Sequence, residues 1–106
     1  MLPKNKRVTK DTFQTIMEKG SILHGSFFMF RYIKDSIPSY AFIAPKKIAK
    51  RAVLRNSLRR KGYNILRFYN LKLGSGLFFY KKEALNAHTL DIKNDIENIL
   101  KRSKII

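Results

Sequence analysis

The segment from residue 45 to residue 61, PKKIAKRAVLRNSLRRK, carries eight Lys or Arg side chains and no acidic side chain. Like charges three or four residues apart on a helix repel each other, so such a helix is poorly stable on its own. It is stabilised only when an apolar face packs against the rest of the protein. The segment therefore predicts an amphipathic helix whose charged face is turned outward.

The spacing of residues in the predicted helix, from Ile48 to Asn70, separates apolar from basic side chains. At about 100° per residue, four apolar residues fall within about 60° of one another: Leu54, Leu58, Ile65 and Tyr69. The opposite side spans about 140° and holds Arg55, Asn56, Arg59, Arg60 and Arg67, with Tyr63 among them. Gly62 lies near the apolar edge, which predicts a close approach of the helix to a sheet.

The charge of the whole chain points to a polyanionic partner. The 106 residues include 23 Lys or Arg and 7 Asp or Glu, for a net charge of +16. Residues 36–82 contain twelve of the basic residues and none of the acids. Neutralisation by a polyanion, with release of its counterions, offsets the repulsion among these charges. Nucleic acid is the favoured partner, and an anionic membrane surface is the alternative.

Several kinds of chemistry are excluded or not supported. The chain has no Cys, which excludes disulfides and thiolate chemistry. His24 and His88 are far apart in sequence and the acids are scattered, so we predict no metal site and no catalytic side chain. GSG at 74–76 lacks the Lys-Ser/Thr that completes a phosphate-binding loop. We also expect no small-molecule substrate.

No segment resembles a membrane or export signal. No apolar stretch approaches the roughly 20 residues of a membrane span. MLPKNKRVTK at the start is basic but has no apolar run after it, unlike a signal peptide. We therefore expect a cytoplasmic protein with no membrane partner.

The remaining elements are predicted from their apolar spacing. DTFQTIMEKG predicts a helix over 11–20, capped by Asp11 and ended by Gly20. SFFMFRYI (26–33) and YAFIA (40–44) are typical of strands. We expect these two strands to pair as an antiparallel hairpin, with YAFIA in a central position.

A third strand and a last helix complete the prediction. LFFY (77–80) is the strand, preceded by a turn at GSG. TLDIKNDIENILKR (89–102) is the helix, capped by Thr89, and its apolar stripe consists of Ile92, Ile96, Ile99 and Leu100. The element order predicts one α+β domain over residues 1–106, a small sheet with packed helices.

PKKIAKRAVLRNSLRR and DTFQTIMEKG, taken together, resemble motifs of the bacterial ribonuclease P protein family. The first is similar to a signature in which Ser/Ala-Lys-Lys precedes a basic pair with Ala and then Arg-Asn-Arg-x-Lys-Arg. The residues that match it in spacing are Lys46, Lys47, Arg51, Ala52, Arg55, Asn56, Arg59 and Arg60. The second resembles the family's Phe-x-x-hydrophobic-x-x-Gly helix and is followed by a similar strand. The resemblance covers nearly the whole chain.

This resemblance implies a fold and a function. The fold is a single-domain, two-layer α+β sandwich similar to domain 2 of ribosomal protein S5, with a left-handed βαβ crossover around the basic helix. The function is that of the protein subunit of a ribonucleoprotein whose catalytic RNA removes the 5′ leader from precursor tRNA. The implied partners are that RNA and precursor tRNA. The implied metal is Mg²⁺ held mainly by the RNA, with no cofactor bound strongly by the protein.

The same resemblance assigns roles to individual residues. The residues expected to contact the catalytic RNA, or to hold the metal and phosphates near it, are Arg55, Asn56, Arg59 and Arg60. Those expected to reach phosphates of the RNA are Lys46, Lys47, Lys50 and Arg51. Ser57, Gly62 and Tyr63 stand where basic residues are usual, and Lys61 and Arg67 are expected to supply replacement charge. A cleft for the leader, between the first helix and the sheet, is expected to be lined by Phe13, Met17, Met29 and Arg31.

Two other functions stay open for this sequence. One is a different RNA-binding module, such as a ribosomal protein of similar fold, which would not assist cleavage of precursor tRNA. The other is a stand-alone nuclease, which would cut RNA without an RNA subunit.

Overall fold

The computed structural model describes residues 8–34, 38–69, 71 and 74–106. In chain order its elements are α1 (Lys10–Lys19), β1 (Ser21–His24), β2 (Phe28–Ile33), β3 (Ser39–Ile43), α2 (Ala52–Leu66), β4 (Ser75–Tyr80), a 3₁₀ helix (Lys82–Asn86) and α3 (Thr89–Arg102). Four strands form one mixed sheet in the order β1-β2-β4-β3. The predicted α+β class is confirmed.

The strand order corrects the predicted hairpin of β2 and β3. β4 lies between these strands, antiparallel to β2 and parallel to β3. β3 is therefore an edge strand and not a central one. Parallel neighbours cannot be joined by a tight turn, and α2 supplies the long connection between β3 and β4. The hand of this crossover stays a prediction of the resemblance.

One face of the sheet forms an aromatic core with α2 and α3. Its buried rings are those of Phe28, Phe30, Tyr40, Phe42, Phe78 and Tyr80. Phe42 and Phe78 stack with ring centres 4.7 Å apart, a geometry that adds about 0.5–1.5 kcal/mol to the gain from burial. The predicted stripe of α3 is confirmed, because Ile92, Ile96, Ile99 and Leu100 are all buried in this core.

Tyr80 joins β4 to α2 within the core. Its hydroxyl donates a hydrogen bond of 2.6 Å to the carbonyl oxygen of Leu58. Burial raises the pKa of Tyr80 well above its ordinary value, because the charged form is disfavoured away from water. The hydroxyl therefore stays protonated and keeps its bond to α2.

α1 packs on the opposite face of the sheet. Successive strand residues point to opposite faces, so Arg31 and Leu77 lie on the face opposite to Phe30 and Phe78. The guanidinium of Arg31 donates to the backbone oxygen of Met17 on α1 at 3.1 Å. Ile16 is the only side chain that α1 buries. The sheet thus carries two helices on one face and one short helix on the other.

The bounds of α1 differ slightly from the prediction. The cap is Thr9 and not Asp11, because the Thr9 hydroxyl accepts a hydrogen bond from the backbone N–H of Thr12 at 3.2 Å. Asp11 lies in the first turn, where an acid interacts favourably with the helix dipole. Gly20 ends the helix as predicted.

The basic helix is shorter than predicted at both ends. Arg51 is extended (φ −84°, ψ 134°) and precedes the first helical residue, Ala52. The helix ends at Leu66 and continues as a turn, and its predicted end at Asn70 lies outside the described residues. Leu54, predicted to face the core, is 40% exposed, because the buried side of the helix begins only at Leu58.

Two glycines allow elements to approach closely. A Cβ atom at Gly62 would lie 2.7 Å from Cγ of Phe42, so the predicted approach of α2 to the sheet is confirmed. A Cβ atom at Gly76 would overlap the Phe30 ring. Gly76 and Ser75 belong to β4, which corrects the predicted turn at GSG, since Gly within a strand marks such a close approach.

Replacing Gly62 by Ala is expected to lower the free energy of unfolding by about 1–2 kcal/mol. Overpacking against the buried Phe42 ring typically costs about 1–3 kcal/mol, which exceeds the gain of about 1 kcal/mol in helix propensity. Thermal unfolding should show a midpoint about 5–10 °C lower. Ser57→Ala, at an exposed position of the same helix, should not lower it. A stabilised Gly62→Ala variant would contradict the close approach.

The turn between β1 and β2 is held by residues distant in sequence. The carboxylate of Asp95 on α3 accepts hydrogen bonds from the backbone N–H groups of Ser26, at 3.0 Å, and Phe27, at 2.9 Å.

Two basic side chains also hold this turn. Lys81 Nζ donates to the Gly25 oxygen at 2.9 Å, and Arg102 donates to the His24 oxygen at 3.1 Å. The prediction missed β1, because this short strand depends on these distant contacts.

Candidate nucleic-acid interface

The segment before α2, residues 45–51, forms an approach loop with four exposed basic side chains. These are Lys46, Lys47, Lys50 and Arg51. The backbone N–H groups of Ile48 and Ala49 both donate to the Pro45 oxygen at 3.1 Å, and Ala49 is buried. The loop is thus fixed from its apolar side while its basic side chains point into solvent.

Arg55 has a structural contact that the sequence did not indicate. Its guanidinium donates to the backbone oxygens of Ala49, at 3.0 Å, and Lys50, at 2.8 Å. These bonds connect the first turn of α2 to the approach loop. Arg55 contributes charge to the surface and also sets the position of the loop, so its substitution changes both.

The side of α2 turned away from the core forms a basic face that extends to Arg67, the residue after the helix. It comprises Arg55, Asn56, Arg59, Arg60 and Arg67, whereas Lys61 lies on the flank of the helix toward α3. Arg59 donates a hydrogen bond to Oδ1 of Asn56, and Arg67 donates one to Oδ1 of Asn64 at 3.3 Å. These neutral partners orient the two guanidinium groups without neutralising them. The cationic groups stay available for phosphate oxygens, with which Arg forms strong bidentate contacts.

No acidic side chain offsets this charge in the described part of the chain. There the only ion pair joins Lys101 to Glu97 on α3, at 3.8 Å. The sequence predicted this segregation of charge, and in the structure none of the basic residues of the approach loop and α2 forms an ion pair with a described acid. Such one-sided basicity is typical of nucleic-acid surfaces.

Tyr63 lies at the edge of the basic face and faces the sheet. Its hydroxyl accepts a hydrogen bond of 3.3 Å from the backbone N–H of Phe42, and the two rings meet edge to face at 5.1 Å. The helical spacing predicted that Tyr63 lies among the basic residues. Its contacts in the structure instead join α2 to β3. Together with Asn56, Arg59, Arg60 and Asn64 it lines a surface cavity of about 540 Å³.

The four residues predicted for a cleft lie on the α1 side of the sheet. Phe13 and Met17, on α1, are 39% and 38% exposed. Met29 and Arg31 lie on the same face of β2, and Arg31 contacts the backbone of Met17. Arg31 Nε is buried and has no hydrogen-bond partner within the described ranges. The structure thus places the four residues on one side of the sheet and joins Arg31 to Met17.

The prediction missed two further apolar residues on this face. Phe79 pairs with Met29 across β2 and β4, and Ile43 pairs with Phe79 across β3 and β4. Both side chains are half-buried. The alternation of LFFY carried a signal for Phe79, since Phe78 and Phe79 must point to opposite faces. Which faces carried helices could not be deduced from that pattern.

The histidines and acids that the structure describes form no metal-binding cluster. Over residues 8–34, 38–69, 71 and 74–106, no three His, Cys, Asp or Glu side chains lie together in a way that could hold a metal ion. His24 belongs to β1, and His88 is the residue before α3. His88, not Thr89, occupies the cap position, without a side-chain hydrogen bond to the helix.

The helices that the structure describes are not suited to span a membrane. None of them, over the described ranges, combines the length and the apolar character needed to cross a bilayer.

Comparisons with known proteins identify the family. The family model for Ribonuclease P matches residues 2–104. A Ribonuclease P protein component from a Nitratiruptor species is 34% identical over 98 residues, which cover 91% of this chain and 89% of the relative. The RNase P proteins of Staphylococcus aureus and Thermotoga maritima share the fold, with TM-scores of 0.80 and 0.79. Their identities are 24% and 21%, over 96% and 94% of this chain and 98% and 97% of theirs. The chain belongs to the ribonuclease P protein family.

Proposed function

We propose that this protein binds the catalytic RNA of ribonuclease P and assists the removal of the 5′ leader from precursor tRNA. The observation that carries the proposal is the basic face of α2 with its approach loop, which lacks an acidic partner in the described ranges. Membership of the ribonuclease P protein family supports this choice of RNA partner. The net charge of +16 favours binding to a large polyanion, and a structured RNA is one.

The approach loop and the basic face have different roles in this proposal. Lys46, Lys47, Lys50 and Arg51 bind phosphates as separate charges on an exposed loop. Arg59 and Arg60, on the rigid helix, bind the catalytic RNA in a fixed direction, with Lys61 and Arg67 adding charge along it. Asn56 orients Arg59, and Arg55 positions the loop relative to the helix.

The α1 side of the sheet is proposed to bind the leader. Phe13 and Met17 offer partly exposed apolar surface, on which a base of any sequence can stack. Arg31, on the facing strand, adds a positive charge to this side of the sheet and is held next to Met17 by its bond to the backbone oxygen. α1 and α2 lie on opposite faces of the sheet, so the protein can hold the leader and the catalytic RNA at once.

The protein is not proposed to perform the chemistry. In this proposal Mg²⁺, held mainly by the RNA, would supply the activation of the attacking water. The basic face carries no carboxylate of the kind that divalent-metal sites use. The residues of this chain instead screen phosphate repulsion and orient the substrate. A cytoplasmic location and a single domain over residues 1–106 stay predictions of the sequence.

Reconstitution tests the proposal. The purified chain is mixed with the ribonuclease P RNA of its own organism at low Mg²⁺, where phosphate repulsion is least screened. We expect kcat/KM for precursor tRNA to rise about tenfold or more, which corresponds to about 1.4 kcal/mol of added transition-state stabilisation. A precursor with a leader of several nucleotides should gain more than one with a single-nucleotide leader.

Two outcomes would oppose the proposal. If the protein binds structured RNA but leaves precursor cleavage by its own ribonuclease P RNA unchanged, it is a different RNA-binding module. If the RNA-free protein cuts precursor tRNA and loses this activity when one acid or His is replaced, it is a nuclease in its own right.

A further inference from the structure

A groove lies between α2 and the start of α3, beside the basic face. Ile65 and Phe68 supply its apolar surface, Arg60 and Lys61 its charges, and Asn64 and Thr89 neutral polar groups. Ser57 also borders it. We call this the Phe68 groove. Its volume of about 370 Å³ lies within the range of clefts that hold small ligands.

Phe68 is the most unusual residue of the groove. It is 81% exposed, although an aromatic ring gains free energy when it leaves water. Nζ of Lys93 on α3 lies 5.9 Å from the centre of the ring, within the range of a cation–π contact. The ammonium group covers part of the ring, and the high exposure shows that much of its surface is still open to a partner.

The charges around the ring indicate the chemistry of the partner. Arg60 and Lys61 line the groove with Phe68, and Lys93 lies over the ring. Among the residues that the structure describes, no acidic side chain lines the groove. Glu97, the acid on the neighbouring part of α3, accepts a hydrogen bond from Tyr69 and pairs with Lys101. The groove therefore combines an open aromatic ring with unneutralised cations, as proteins that bind single-stranded nucleic acid do.

We propose that the Phe68 groove holds an unpaired nucleotide of the RNA partner, with its base stacked on Phe68 and its phosphate bound by Arg60 and Lys61. This inference rests on the proposed function and adds a site to it. The basic face by itself binds phosphates. The Phe68 groove also binds an unpaired base. It would place a single-stranded segment of RNA at the end of α2.

A second copy of this chain does not fit the groove equally well. Each copy carries a net charge of +16, and the cations beside Phe68 would face another basic protein. A nucleotide brings both a flat apolar base and a negative phosphate, so it matches both parts of the groove. Charge complementarity thus favours RNA over self-association.

Fluorescence gives the first test, because the chain contains no Trp. Phe68→Trp places a single indole in the groove. Titration with the organism's own ribonuclease P RNA should quench this fluorescence as the base stacks on the indole. Leu85→Trp, at an exposed position in the 3₁₀ helix, is the matched control and should change little. Saturated RNA binding without quenching of the Trp at position 68 would overturn the proposal.

Affinity gives the second test. Phe68→Ala should weaken binding of the same RNA roughly 5- to 150-fold, since a stacked base contributes about 1–3 kcal/mol. Phe68→Ala should leave the slope of log K against log salt unchanged, because it removes no charge. Lys61→Gln should make this negative slope shallower by about 0.7–0.9. Leu85→Ala is the control and should bind like the wild type.

The outcomes separate this inference from the function on which it rests. If the wild-type chain binds the RNA with a steep salt dependence and Phe68→Ala binds equally well, only the Phe68 groove is refuted. If the wild-type chain shows no salt-dependent binding of the RNA, the proposed function fails as well. An unchanged thermal midpoint of Phe68→Ala would show that a loss of affinity does not come from unfolding.

Discussion

Replacing Arg59 and Arg60 together by Gln is expected to weaken binding of ribonuclease P RNA about 100-fold. A hydrogen bond to a charged group contributes about 1.5–3 kcal/mol, so two such contacts amount to at least about 3 kcal/mol. Both side chains lie on the exposed side of α2, and neither has an acidic partner in the described ranges. Gln is polar and favours a helix about as well as Arg, so we expect the fold to be retained. The loss of RNA affinity then reflects the loss of charge.

The salt dependence of the same binding provides the sharper measurement. With five or more phosphate contacts, log K should fall against log salt with a slope of roughly −4 or steeper. Between 50 and 200 mM salt this lowers the affinity about 250-fold. Loss of Arg59 and Arg60 should make the slope shallower by about 1.5. Filter binding or fluorescence anisotropy over this salt range measures both quantities.

A matched pair of substitutions separates position from net charge. Lys101→Gln with Lys104→Gln also removes two positive charges, but at exposed positions in the last turn of α3 and just after it. We expect this control to keep the wild-type slope and most of the affinity. Equal losses in the two double variants would contradict the basic face as a specific site and leave only a general attraction between opposite charges.

Asp95→Ala is expected to lower the free energy of unfolding by about 3 kcal/mol. Asp95 is only 6% exposed, and its carboxylate accepts hydrogen bonds from two backbone N–H groups in the β1–β2 turn. Hydrogen bonds to a charged acceptor contribute about 1.5–3 kcal/mol each. Typical domains have only about 5–15 kcal/mol of total stability. The loss is therefore a large part of what holds the fold.

Thermal and urea unfolding check this expectation. A loss of about 3 kcal/mol corresponds to a midpoint roughly 12–24 °C lower for a domain of this size. Asp91→Ala, on an exposed position of the first turn of the same helix, is the control. It should cost at most about 1 kcal/mol, through the helix dipole. If both variants lose the same stability, the turn does not depend on Asp95.

Much of the helical structure could be predicted, because its signals are local. The bounds of α3 and its stripe of Ile92, Ile96, Ile99 and Leu100 follow from a repeat that a 14-residue helix displays by itself. The basic and apolar sides of α2 follow from the same periodicity. The periodicity of the sequence did not show where α2 begins. The approach loop before Ala52 is not helical, and its backbone is bonded to Arg55.

The strands were harder to assign, because their partners lie far away in sequence. β2 and β3 are neighbours along the chain and looked like a hairpin, but β4 separates them in the sheet. Nothing local in β2 distinguishes a hairpin partner from a strand that arrives more than forty residues later. β1 was missed for a related reason, since its turn is held by α3 and by Lys81.

The sequence by itself determined that this protein has one strongly basic region, an amphipathic helix within it and the motifs of its family. These properties depend on composition and on spacings of three or four residues. Only the tertiary structure decided the strand order, the structural roles of Asp95 and Arg55, and the pairing of Phe68 with Lys93. Those properties depend on contacts between residues that the chain separates and folding brings together. Asp95 shows the difference most clearly, since it bonds to residues 68 and 69 positions away.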